Sequence, residues 1–178
     1  MESDDPALVV ECLNGYRSKE LMPTNLGEFK IPLGEVEVLR TGTDLTLVSY
    51  GSTLKLCQIA CERLATMDIE VELIDVQTLL PFDLGHQISA SIKRTNRVLF
   101  VDEDVPGGAS AYILQQILEN QQAFQYLDAP PCTLTAKAHR PAYGSDGDYF
   151  SKPNAEDITD MVYSMMHDYA PDQYPRYK

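Results

Sequence analysis

Apolar runs and helix-spaced apolar positions alternate along most of this chain. "DLTLVSYG" (44–51) is a compact apolar run closed by Gly51, and residues 53–67 then carry Leu56, Cys57, Ala60, Cys61 and Leu64 at helical spacing. Ser52 stands where an N-cap belongs. "EVELIDV" (70–76) predicts a second buried strand, and Asp83 caps a following helix that turns Ile88 and Ile92 inward. "RVLFVDE" (97–103) predicts a third strand, apolar on both faces. Pro106-Gly107-Gly108 then leads into a helix bearing Ile113, Ile117 and Leu118. "CTLTAKA" (132–138) predicts a fourth strand. Ile158, Val162 and Met165 predict a last helix over about 155–168.

Strands alternating with helices of this length imply right-handed crossovers and a mostly parallel sheet covered on both faces. Ahead of them, Val36 and Val38 alternate with Glu35 and Glu37, and "RTGTD" separates this run from the next. That is a hairpin signal and predicts one antiparallel edge strand at 35–40. The expected fold is a three-layer α/β/α sandwich on a five-stranded mixed sheet, four strands parallel and one antiparallel. Residues 1–34 fit this unit poorly: "PALVVE" (6–11) reads as a short strand with no evident neighbour, followed by a long polar connector. The pattern suggests a chain cut from something larger. An extra edge strand of the same sheet matches it equally well.

Composition narrows the class. The chain has 178 residues, 44% hydrophobic and 23% charged, as a globular protein with one sizeable core does. Asp+Glu outnumber Lys+Arg 27 to 14, a formal charge of -13, which repels phosphate backbones and argues against nucleic acid. A basic protein is the natural complement. No run approaches the ~18 apolar residues of a membrane span, and "MESDDPALVV" lacks the basic start of a signal peptide. The expected location is the cytoplasm. Four scattered cysteines do not make a disulfide framework, and Cys57 and Cys61 share the apolar face of their helix, so they read as core.

Little chemistry is legible. Ser52, Asp75 and His139 stand near the ends of parallel strands, yet "YGST" is not the nucleophile elbow of a hydrolase. "VPGGASAY" lacks dinucleotide-loop spacing, and no phosphate loop with lysine occurs. Asp102-Glu103-Asp104 reads as a solvated turn in preference to a cation site. These residues describe a scaffold without a reaction.

Three stretches together carry a resemblance: "FKIPLGEVEVLRTGTDLTLVSYGS", "VELIDVQTLLPFD" and "RVLFVDEDVPGGASAYILQQI". They resemble the C-terminal domain of the β subunit of thiamine-diphosphate-dependent 2-oxo acid dehydrogenases, the module that also ends transketolases. "DPALVVECLNGYR" is similar to the last strand of the preceding pyrimidine-binding domain in that family. The resemblance implies three parts: residues 1–34 as the end of that domain and a linker, 35–170 as the C-terminal module, and 171–178 as a tail.

The resemblance implies that thiamine diphosphate and magnesium belong to the parent enzyme and that this module binds neither. "GSDGD" (144–148) reverses the family's Gly-Asp-Gly order, and Asn154 follows it too closely. The implied role is non-catalytic assembly within a branched-chain or pyruvate dehydrogenase, the chain alone being inactive. Implied partners are α and β subunits, a second copy of the chain, and the basic subunit-binding domain of the dihydrolipoyl acyltransferase. Leu79, Leu80 and Pro81 form a stiff apolar turn suited to subunit contacts, with Asp75 bonding amides of that turn. Asp128 in "LDAP" resembles a stretch carrying an acid for the acyltransferase, helped by Asp172 and the terminal carboxylate. A free-standing α/β module binding a ligand or protein is the alternative, as is the equivalent domain of a transketolase-type transferase; the "IPLGEVEVLR" entry segment argues against the latter.

Overall fold

Two units make up the chain in the computed structural model, Met1–Lys30 and Ile31–Lys178, and the structure describes residues 4–19, 21–25, 27, 28, 30–144 and 146–176. In the first unit, residues 6–11 take no strand, and Leu8, Val9 and Val10 are exposed. An unpartnered strand leaves its backbone groups to water, so apolar composition alone does not make one. A 3-10 turn, Leu13–Arg17, follows.

The second unit holds strands β1 (Glu37–Arg40), β2 (Leu45–Ser49), β3 (Val71–Asp75), β4 (Val98–Val101) and β5 (Cys132–Leu134) in the order β1-β3-β2-β4-β5. All pairings are parallel except that of β1 with β3. Helices α1 (Thr53–Ala65) and α5 (Ala155–Tyr169) cover one face; α2 (Gln87–Thr95) and α3 (Ala109–Gln115) cover the other. The α3 helix runs on as a π turn, Gln116–Asn120, which carries the expected Ile117 and Leu118, and a five-residue α4 (Gly147–Ser151) that the apolar spacing did not predict precedes α5. Alternation along the strands feeds two cores: Leu45, Leu47, Val71, Leu73, Leu99 and Val101 point one way, while Val48, Ile74, Val98 and Phe100 point the other. Among the described residues no helix is long and apolar enough to cross a membrane.

The expected edge strand is present but the hairpin is not. β1 pairs with β3, with Val38 opposite Ile74, and β3 lies between β1 and β2. The connection crosses the start of β3, where the amides of Thr43 and Asp44 both donate to the Glu70 carbonyl at 2.9 Å. Gly42 permits that crossing, because a Cβ there would stand 2.2 Å from the Val71 carbonyl carbon. A period-two pattern marks a strand; it does not name the neighbour.

Helix ends follow local chemistry more than position. Ser52 makes no capping bond. Asp83 does cap α2, its carboxylate accepting from the Gln87 and Ile88 amides at 2.8 and 3.0 Å, with His86 left-handed between them. Asn154 and Asp157 close a reciprocal capping box on α5. Cys57 and Cys61 are buried, as expected of core residues, and burial pushes both thiols up to about 12.

Tail residues before 177 rejoin the core. Tyr174 is buried against α5, edge-on to Tyr163, and its hydroxyl donates to the Asp68 carbonyl at 3.4 Å. Tyr174→Ala should therefore cost about 3 kcal/mol in urea unfolding, near the lower bound for truncating a buried aromatic. A loss below about 0.5 kcal/mol would show the tail to be a passive appendage.

Candidate functional site

The end of the sheet where the parallel strands finish gathers the residues that looked chemical. They do not form one constellation. Ser52 Oγ donates to Glu103 Oε2 (2.5 Å), Asp75 Oδ1 accepts from the Gln77 amide (3.1 Å), and His139 Nδ1–H donates to the Arg140 carbonyl (3.0 Å). No hydrogen bond among the described residues joins these three to each other, so they do not form a hydrolase triad. The bond predicted for Asp75 is the one observed.

Asp102, expected in a solvated turn, is instead fully buried. It accepts from Tyr50 Oη (2.6 Å) and from the amides of Asp104 (3.0 Å) and Ser110 (2.9 Å), tying β2, β4 and the start of α3 together. Glu103 turns to Ser52 and Lys152, and Asp104 caps its own turn at Val105. The three carboxylates diverge. Burial pushes the Asp102 carboxyl up, but the hydrogen bonds from Tyr50, Asp104 and Ser110 outweigh it and hold it below its ordinary value. Burial first, then the Asp102 carboxylate, raises the Tyr50 hydroxyl. "VDED" resembled a surface run, and nothing in it marked its first acid as internal.

Asp75 behaves in the opposite way. Burial raises its pKa above the ordinary 3.8, the Gln77 amide partly offsets this, and Glu37, its cross-strand partner, adds to it. A carboxyl raised on folding contributes stability that is full below its unfolded pKa and lost as pH rises through the raised folded value. Asp75→Asn should thus flatten the stability profile above the ordinary carboxylate range and leave the acid end unchanged. Urea unfolding across that range checks it; an unchanged slope would show Asp75 to be fully solvated.

Leu79, Leu80 and Pro81 also lie at this end, in the turn after β3, with Leu80 78% exposed and Leu79 at 37%. Pro81 and Leu84 pack over Gly34, where a Cβ would come within 3.0 Å of both side chains. The turn is held from beneath while Leu80 faces solvent.

Asp128 and the tail lie at the opposite end, where the parallel strands begin. Arg97, 6% exposed, pairs with Asp128 (2.6 Å; 39% exposed), donates to the Asp44 carbonyl (3.0 Å) and covers the Tyr169 ring at 3.4 Å. Asp172 is exposed in the turn between Tyr169 and Tyr174. Around Tyr174, burial and then the charges of Asp44 and Asp68 raise the phenol; burial and then Asp168 raise the Cys132 thiol. Through Arg97, which meets both Asp128 and the Tyr169 ring, this end links Asp128 to the start of the tail that carries Asp172. The terminal carboxylate lies outside the described residues.

In "GSDGD", the stretch nearest the family's cofactor motif, and at Asn154 after it, several described groups are engaged within the fold. Asp148 pairs weakly with Lys152, Gly147 abuts the Ala142 carbonyl, and Asn154 is engaged in its capping box. Ser145 lies outside the described residues. Among the described residues no three His, Cys, Asp or Glu groups converge as metal ligands.

A mixed sheet in this order, covered by α1 and α5 on one face and α2 and α3 on the other, defines an α/β/α module of the transketolase C-terminal type. Solved structures share it: an inactive tetramer of a split-gene transketolase (TM-score 0.62, 19% identity, 77% of this chain and 43% of that one) and a transketolase mutant from Pichia stipitis (0.53, 14%, 77% and 18%). Residues 34–158 match the transketolase C-terminal domain, and the chain belongs to that family. It is 36% identical over 138 residues to the β subunit of the pyruvate dehydrogenase E1 component of Rhizobium meliloti, covering 77% of this chain and 29% of that one. Against the mitochondrial 2-oxoisovalerate dehydrogenase β subunit of Chaetomium thermophilum it is 37% identical over 134 residues, covering 73% and 28%. The pyruvate dehydrogenase β subunit of Cyanidium caldarium aligns over 162 residues at 31% identity, covering 90% and 48%. The chain thus spans less than half the length of these relatives.

Proposed function

We propose that this chain is the assembly domain of a 2-oxo acid dehydrogenase decarboxylase component. The parent reaction is oxidative decarboxylation of a 2-oxo acid on thiamine diphosphate, with acyl transfer to lipoyl-lysine, and this domain contributes contacts instead of chemistry. The turn Leu79-Leu80-Pro81 faces α or β subunits, and the acidic end around Asp128 and Asp172 faces the basic subunit-binding domain of the dihydrolipoyl acyltransferase. The observation that supports this reading best is the acidic end itself. Asp44, Asp68, Asp128 and Asp168 lie where the strands begin, Asp172 stands in the exposed turn before Tyr174, and Arg97, which pairs with Asp128, is buried.

The test is calorimetric titration of that subunit-binding domain into the chain at low and high salt. Asp172→Lys should weaken binding about threefold to tenfold at low salt and flatten its salt response, as loss of an exposed charge pair does. Unchanged affinity and salt slope would remove the acidic end from the interface. Asp172 is the cleaner probe, because replacing Asp128 also strands Arg97.

A further inference from the structure

The chain carries a second charged surface, opposite in sign to the acidic end and independent of the docking role proposed for it. Most of the arginines in the folded unit face a carboxylate: Arg40 on Glu70, Arg63 on Glu156, Arg94 on Glu72 and Arg97 on Asp128. The loop after β5 departs from this. Lys137 and Arg140 make no ion pair with a described acid: Lys137 Nζ lies 3.5 Å from the Phe150 centroid, and Arg140 Cζ lies 4.9 Å from that of Tyr143, with Nη2 donating to the Tyr143 hydroxyl and its other N–H groups left for a partner. The His139 ring is tilted against that of Phe150, with centroids 6.1 Å apart.

The loop is exposed yet fixed. Residues 137–144 are all open to solvent, while the Ala136 amide donates to the Asp104 carbonyl (2.9 Å) and the Lys137 amide to the Ser151 carbonyl (2.8 Å). A ring face orients a cation without neutralising it and leaves its hydrogen-bond donors to a second partner. In a protein of net charge -13, two strong cations three residues apart, oriented and unneutralised, form a local reversal of sign.

We infer that the loop 137–143 docks a carboxylate-rich extended protein segment, with Lys137 and Arg140 each held between an aromatic ring and an incoming acid. The exposure favours a segment over a small molecule, since small ligands need concavity and residues 137–144 are all open to solvent. The overall negative charge disfavours nucleic acid, which would bring a continuous row of phosphates across the acidic surface.

Fluorescence anisotropy of a labelled polyglutamate peptide with the full chain at low ionic strength tests this, with an uncharged Gly-Ser peptide as reference. Polyglutamate should bind and the reference should not. Binding should weaken about tenfold in the double variant Lys137→Gln/Arg140→Gln, the loss of two solvent-facing charge pairs. Lys93→Gln, which removes a cation set on Tyr126 elsewhere, should leave it unchanged. Both variants replace exposed side chains, and thermal melts matching the parent establish that they fold. Polyglutamate binding no tighter than the reference, equal loss in Lys93→Gln, or full retention in the double variant would each overturn the inference. Preferential binding of an oligonucleotide over polyglutamate would overturn it in favour of a phosphate surface.

Discussion

Gly42→Ala is expected to lower stability by about 3 kcal/mol, a fall in Tm of roughly 10 °C for a domain of this size. The added methyl would meet the Val71 carbonyl carbon at 2.2 Å and the Glu72 amide nitrogen at 2.3 Å, both backbone atoms that cannot rotate away. Relief requires moving the β1–β2 connection off β3, which breaks the paired Thr43 and Asp44 bonds to Glu70 and the Gly42 amide's reach to Glu72. Gly144→Ala is the matched control: nothing lies within 4 Å of its Cβ position, so it should stay within about 0.5 kcal/mol of the parent. Thermal unfolding followed by circular dichroism separates the two. Equal melting curves would mean that the connection does not run against β3.

The second large effect lies at Arg97. Asp128→Ala leaves a buried guanidinium with only the Asp44 and Thr95 carbonyls and the Tyr169 ring, and should cost about 3 kcal/mol. Arg97→Met leaves a carboxylate that is 39% exposed and can rehydrate, so its cost should be smaller, about 1–2 kcal/mol. The double variant should cost less than the two together, because the stranded charge is then gone. Additive losses in denaturant titrations would mean that the two side chains do not interact. The asymmetry bears on docking as well, since weaker assembly by an Asp128 variant counts as an interface effect only at matched stability.

Much of the fold was readable because the parallel strands are buried on both faces and their apolar runs cannot be mistaken for surface. Leu45–Ser49, Val71–Asp75 and Val98–Val101 lie within the runs that predicted them, and the α1 and α5 stripes face the core as spaced. β5 ends early, at Leu134, where Thr135 leaves the ladder while Ala136 still bonds Asp104. What was not readable depends on contacts distant in sequence. The partner of β1 is decided by Gly42 and the Glu70 carbonyl; no local pattern reports either. Asp83 was legible as a cap because it precedes a helical pattern, whereas Ser52 has helical backbone angles in place of the extended ones a cap needs, and its hydroxyl donates to Glu103, fifty-one residues away. Asp102 was missed for the same reason, its partners being Tyr50 and the Ser110 amide. Within the candidate interfaces, Asp128 was legible as an acid before prolines, but its engagement with Arg97 was not.

Placing β3 between its two predecessors has a kinetic corollary. The earliest strand cannot zip onto the segment that follows it and must wait for one some thirty positions downstream, so the entropy of closing that loop falls on an edge that local contacts cannot nucleate. The central parallel ladder of β3, β2 and β4 does not include it, so β1 adds to the sheet as an edge whose loss leaves that ladder paired.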